Sequence, residues 1–152
     1  MVKRLLAGVL MLAWATPCHA AQVCAWMKES VENGNDHHLQ VWMQADAHIE
    51  FLYKIGGQGV VDASGSSNSP ASATYMLDPG RAESVWEGGG TLNPPGKIDV
   101  SLEVHEWPKD IFSKAPTPLL AAFKFQRNVP AGETKPPATL AKKQCAAVKA
   151  AP

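Results

Sequence analysis

Between residues 97 and 105, apolar and polar side chains alternate without a break. Ile98, Val100, Leu102 and Val104 fall between Lys97, Asp99, Ser101, Glu103 and His105. A period of two puts each set on its own face of an extended strand, so one face must find an apolar partner and the other meets water or a ligand. The same period recurs earlier, where Leu39, Val41 and Met43 alternate with Gln40, Trp42 and Gln44, and where Ile49, Phe51, Tyr53 and Ile55 alternate with His48, Glu50, Leu52 and Lys54. Ala73, Tyr75 and Leu77 open a further strand, residues 83–87 form its return, and Leu119, Ala121, Phe123 and Phe125 face one way in a last one.

The segments between these runs carry turn chemistry. In Asp78-Pro79-Gly80-Arg81 proline presets φ and glycine accepts a positive φ, which suits a type II reversal. Gly56-Gly57-Gln58-Gly59 makes a turn before a short Val60-Val61 segment, residues 64–72 form a polar loop, and residues 88–96 form a glycine- and proline-rich connection. Pro108, Pro116 and Pro118 keep the stretch before Leu119 irregular. Short strands at near-regular spacing predict a mainly β fold, a single antiparallel β-sandwich or open barrel of about six to seven strands. Two ends depart from the pattern. Val23, Cys24, Met27 and Val31 recur at helical spacing before Asn33-Gly34, which predicts a short N-terminal helix. Leu140, Gln144, Cys145 and Val148 predict a short helix or a clamped tail in the proline-rich segment 128–152.

Residues 1–20 read as a secretory signal peptide: Lys3 and Arg4 precede an apolar run over residues 5–15, and Cys18-His19-Ala20 offers small residues for cleavage after Ala20. That leaves 132 of the 152 residues, 21–152, as one domain. The apolar run is too short to span a bilayer, nothing later approaches that length, and Pro17 before Cys18 and Val23 before Cys24 do not suit lipidation. Of the three cysteines Cys18 leaves with the leader, so Cys24 and Cys145 form the one pair available for a disulfide in an oxidising compartment. Closing so long a loop stabilises by roughly 5 kcal/mol at most in the chain-entropy account.

Charge narrows the partners. Lys3 and Arg4 also leave, so twelve of the fourteen basic residues face fourteen acidic ones, a net charge of −2. With no basic block and no basic amphipathic helix, nucleic acid and insertion into a membrane are both disfavoured. His37 and His38, with His48 and His105, raise a copper or zinc site. Adjacent strand residues point to opposite faces, however, and no His-x-x-x-His or Cys-x-x-Cys spacing accompanies them, so no cofactor is expected. Nor is there a Gly-x-Ser-x-Gly elbow or a phosphate-binding glycine loop. The carboxylates Asp99, Glu103 and Glu106 could serve a small hydrolase of envelope polymers only if the fold assembled them.

Tryptophan is the stronger signal. Trp42 falls on the polar side of its strand, and Trp107 continues the polar side beyond Glu103 and His105. Indole joins a large apolar area to an N–H donor and so anchors protein, peptide and sugar contacts. Trp42, His105 and Trp107 are therefore the candidate binding residues, while Trp26 and Trp86 are expected to pack against the domain. The chain reads as an exported, non-catalytic binding, inhibitory or accessory protein of a bacterial envelope, periplasmic or secreted, with a protein, peptide or glycan as partner. Periplasmic metal binding and polymer hydrolysis are the alternatives.

Overall fold

The computed structural model describes residues 20–61, 71–110, 112–133, 135 and 142–149. The signal-peptide reading, which covers residues 1–20, therefore lies almost wholly outside them. Eight strands follow one another: β1 (Ala21–Glu32), β2 (Asp36–Ala45), β3 (Ile49–Val61), β4 (Ala71–Leu77), β5 (Ala82–Thr91), β6 (Gly96–Glu106), β7 (Leu119–Val129) and β8 (Gln144–Val148). They form two four-stranded antiparallel sheets, β5-β2-β1-β8 and β4-β3-β6-β7. The fold is a β-sandwich rather than a barrel.

The alternation read from the sequence becomes the core. Leu39, Val41 and Met43 of β2 and Val23, Ala25 and Met27 of β1 face Phe51, Ile55, Ile98, Val100, Leu102, Phe123 and Phe125 of the other sheet, all of them buried. At roughly 25 cal/mol per Å² of apolar surface removed from water, this layer is the principal stabilising term. The reversal at Asp78 also takes the expected form, with Gly80 at φ 75° and the Arg81 amide donating to the Asp78 carbonyl at 3.2 Å.

Several expectations need correction. No helix precedes Asn33: the segment is strand β1, paired residue for residue with β2 from Val23–Ala45 to Glu32–Asp36. Val23, Met27 and Val31 stand four apart, and four is both about one helical turn and two strand repeats, so their spacing fitted either period. At the other end the tail is clamped, as one of its two readings had it, by strand β8, which pairs with β1 through Cys24–Cys145, and it is not a helix. These two strands raise the number from six or seven to eight.

The glycines of residues 88–90 also belong to a strand rather than a connection, opposite Leu39, His38 and His37 of β2. At Gly89 a Cβ would overlap the His37 backbone carbonyl, so only glycine admits this close approach. The Val60-Val61 segment is the continuation of β3, past an irregularity between Gly57 and Gly59. There Gly57 takes φ 93°, and a Cβ would stand 2.5 Å from the Asp99 carbonyl oxygen.

The expected disulfide is present. Cys24 and Cys145, 121 positions apart, are joined across β1 and β8. Cys24 shares a face with Trp26, so the bridge lies on the outside of its sheet.

One ionic group crosses the interior. Glu29 of β1 has a fully buried side chain, and Arg127 of β7 grips its carboxylate with Nη2 at 2.7 Å and Nε at 3.1 Å. His37 Nδ1 lies 2.7 Å from the same carboxylate, and Arg127 Nη1 makes a second bidentate contact, with Glu133, at 2.6 and 2.8 Å. Burial opposes the charge on Arg127, but the hydrogen bonds and charges of Glu29 and Glu133 outweigh it and raise its pKa above the ordinary arginine value.

Arg127→Met should cost about 3–5 kcal/mol in urea unfolding, because it leaves Glu29 as an uncompensated buried charge. Combining it with Glu29→Gln should recover part of that loss; a single variant as stable as wild type would show that the carboxylate does not depend on its partner. Replacing both Cys24 and Cys145 by serine should lower stability by up to about 5 kcal/mol, and peptide mapping of unreduced protein should return one linked pair.

Candidate functional site

The β1–β2 hairpin turns at Asn33 and Gly34, both at positive φ. Its register sets Trp26 directly opposite Trp42. Because Val41 and Met27 point into the core, the two indoles stand together on the outer face of the sheet, where both are half-buried. Their ring centroids are 6.4 Å apart and their planes 17° from parallel. Lys28, one strand repeat from Trp26, places Nζ 3.8 Å from the centre of the Trp42 ring, and Lys143, just before β8, places Nζ 5.1 Å from that of Trp26. The two ammonium groups therefore bracket the indole pair across the sheet, in the order Lys28, Trp42, Trp26, Lys143.

Cation–π contacts at such exposed positions contribute about 0.5–1 kcal/mol each, and an aromatic pair about 0.5–1.5. Polar neighbours hold the ladder in place. Trp42 Nε1 donates to Gln40 Oε1 at 3.2 Å, Gln40 Nε2 donates to Glu87 at 2.9 Å, and Lys143 Nζ donates to Gln44 Oε1 at 2.7 Å. Among the described residues neither Lys28 nor Lys143 has a carboxylate within ion-pair distance. Beside Gln40, a hollow of about 260 Å³ is lined by His38, Leu39, Gln40, Glu87 and Gly88. The face thus offers apolar area, indole and amide hydrogen-bonding groups, and two ammonium groups without counter-charge.

The other candidates lie elsewhere. Trp42 is on the outer face as its alternation implied, but His105 lies near the end of β6 in the opposite sheet and Trp107 just beyond it. His105 stays on the outer face, opposite the outward Leu52 of β3, and is buried there beneath the β6–β7 connection. Its Nδ1 lies 2.9 Å from the Thr117 carbonyl and its Nε2 2.9 Å from Glu103, so the ring ties down the chain entering β7. Trp107, half-buried, begins that connection. Trp86 is packed in the core as expected; Trp26 is not, and its place beside Trp42 was missed along with Lys28 and Lys143.

His37 and His38 point to opposite faces, His37 inward to Glu29 and His38 outward, 3.6 Å from Glu32. No cluster of three or more potential metal ligands occurs among the described residues. On β6 the carboxylates of Asp99 and Glu103 are engaged locally. Asp99 accepts from Lys97 at 2.8 Å and Gln126 at 2.9 Å, and Glu103 contacts His105. Burial works to raise the Asp99 pKa, but the hydrogen bonds from Lys97 and Gln126 and the charges of Lys97 and Lys124 hold it below the ordinary value.

No family model matches the chain, and neither does any curated protein or solved structure.

Substitution distinguishes surface from core tryptophan. Trp26→Ala and Trp42→Ala should each cost about 1–2 kcal/mol in urea unfolding, against about 3–5 for Trp86→Ala. A double-mutant cycle between Trp26 and Trp42 should return about 0.5–1.5 kcal/mol of coupling, whereas additive losses would mean that the rings do not support each other.

Proposed function

We propose that this chain is an exported, non-catalytic binding protein of the bacterial envelope, periplasmic or secreted, which engages a protein, peptide or glycan through the outer face of the β5-β2-β1-β8 sheet. The observation that carries the reading is the half-exposed Trp26–Trp42 pair, flanked by two ammonium groups without counter-charge. Tryptophan contributes disproportionately where a surface is used for binding, because a ligand that covers it removes a large apolar area from water while still meeting a donor. The ladder holds the rings in place beforehand, which lowers the ordering cost of association.

Two further features suit this setting. A disulfide such as Cys24–Cys145 persists in oxidising compartments. Among the described residues no helix is long and apolar enough to cross a membrane. Trp42 is carried into this proposal from the sequence; His105 and Trp107 enter it as supports of the β6–β7 connection.

The test presents purified protein, in separate titrations, with the soluble periplasmic proteins, the cell-wall fragments and the surface polysaccharide of an envelope preparation. One class should bind, and Trp42→Ala and Trp26→Ala should weaken that binding at least about tenfold, equivalent to 1.4 kcal/mol, in protein that remains folded. Equal binding by wild type and both variants, or no binding to any class, would overturn the proposal.

A further inference from the structure

The outer face of the second sheet carries a groove that the tryptophan face does not touch. Its floor is formed by Leu52 and Lys54 of β3 and Thr74 of β4, and its wall by Lys114, Pro116 and Thr117 of the β6–β7 connection. The cavity is about 570 Å³, enough for a few residues of an extended chain. The wall is fixed at its base, where the Glu106 amide donates to the Pro118 carbonyl at 2.9 Å and His105 holds the Thr117 carbonyl. Inside the connection, Asp110 caps the Phe112 amide at 2.9 Å.

The charge in this groove is one-sided. Lys54 and Lys114 are both exposed, no acidic side chain lines the cavity, and among the described residues neither lysine has a carboxylate within ion-pair distance. The nearest acidic residue in register is Glu103, opposite Lys54, and it contacts His105 at 2.9 Å. Hydroxyl groups of Thr74, Ser113 and Thr117 complete the polar lining. Thr117 Oγ1 is the one buried side-chain polar atom among the described residues without a hydrogen-bond partner. Such an atom gains a partner if the wall adjusts around a ligand.

Two observations select the class of occupant. Among the described residues β4 is an edge strand that pairs with β3 alone, so its outer side can meet another main chain as a strand would. Along the same face of β4, one repeat beyond Thr74, Met76 is 55% exposed, and Phe112 on the connection is 87% exposed, giving apolar contacts at the margins. No aromatic ring lines the cavity to stack on a sugar.

We infer that this groove binds an extended, acidic segment of a partner polypeptide, with its carboxylates between Lys54 and Lys114 and its main chain along β4. The site is independent of the tryptophan face, which lies on the other sheet.

The experiment titrates 15N-labelled protein with a short capped peptide of alternating glutamate and threonine, with the glutamine–threonine peptide as control. The glutamate peptide should move the amide signals of residues 52–54, 73–74, 113–115 and 117. It should bind at least about tenfold more tightly than the control, and more weakly as ionic strength rises from roughly 0.05 to 0.5 M. Lys54→Gln with Lys114→Gln should abolish that advantage, and since both side chains are exposed the variant should keep its unfolding midpoint. Trp42→Ala should leave the binding unchanged, which separates this result from the fate of the tryptophan face. Equal affinity for the two peptides, retention of binding by the lysine variant, signals moving on the tryptophan face alone, or no shift at millimolar peptide would each overturn the inference. So would binding of an oligogalacturonate to these residues in place of the peptide.

Discussion

Everything in this molecule depends on the contact between two apolar sheet faces. An isolated sheet of four strands would leave Leu39, Val41, Met43 and their neighbours in water. Only the approach of the second sheet, with Phe51, Leu102 and Phe123, removes them from it. That contact sets the direction of every other side chain on the strands. Trp42 faces outward because Val41 and Met43 must face inward, and Lys54 faces outward because Tyr53 and Ile55 must not. Both candidate binding faces are by-products of the same requirement.

At one end the apolar layer gives way to the group of Glu29, Arg127, His37 and Glu133. A buried ion pair often contributes less stability than apolar residues of the same volume, because desolvation of both charges offsets their attraction. Its directional bonds have another effect. An apolar face tolerates sliding by one repeat, whereas a bidentate guanidinium bridging β1 and β7 is satisfied at one relative position of the sheets.

The strands with strict alternation were legible in the sequence, and so were the disulfide, the turn at Pro79-Gly80 and the outward position of Trp42. β1 was misread because its apolar residues recur at a spacing shared by helix and strand, and Trp26 was lost with it. Had Asn33-Gly34 been read as a hairpin turn, counting back from Asp36–Glu32 would have placed Trp26 against Trp42. β8 carries too few residues, two of them alanine, for a period to show; its pairing becomes evident only through Cys145. Alternation set His105 on the outer face, where it lies, but could not show that the β6–β7 connection covers it. The groove on the second sheet has no signature at all, since it brings residues near 54, 74 and 114 together through a connection whose path is set by three prolines and two hydrogen bonds to its base.

The bridge between β1 and β8 also determines how the molecule responds to a pull. Cys24 and Cys145 sit on neighbouring strands, so tension applied to the backbone outside them passes from one to the other through a covalent bond. The 120 residues enclosed between them carry none of that load. A machine that drags a chain through a narrow pore from either side would meet a closed ring, which it would have to admit as a double thickness or see opened chemically first. While the bridge is intact, the sandwich is shielded from unravelling by traction along the chain.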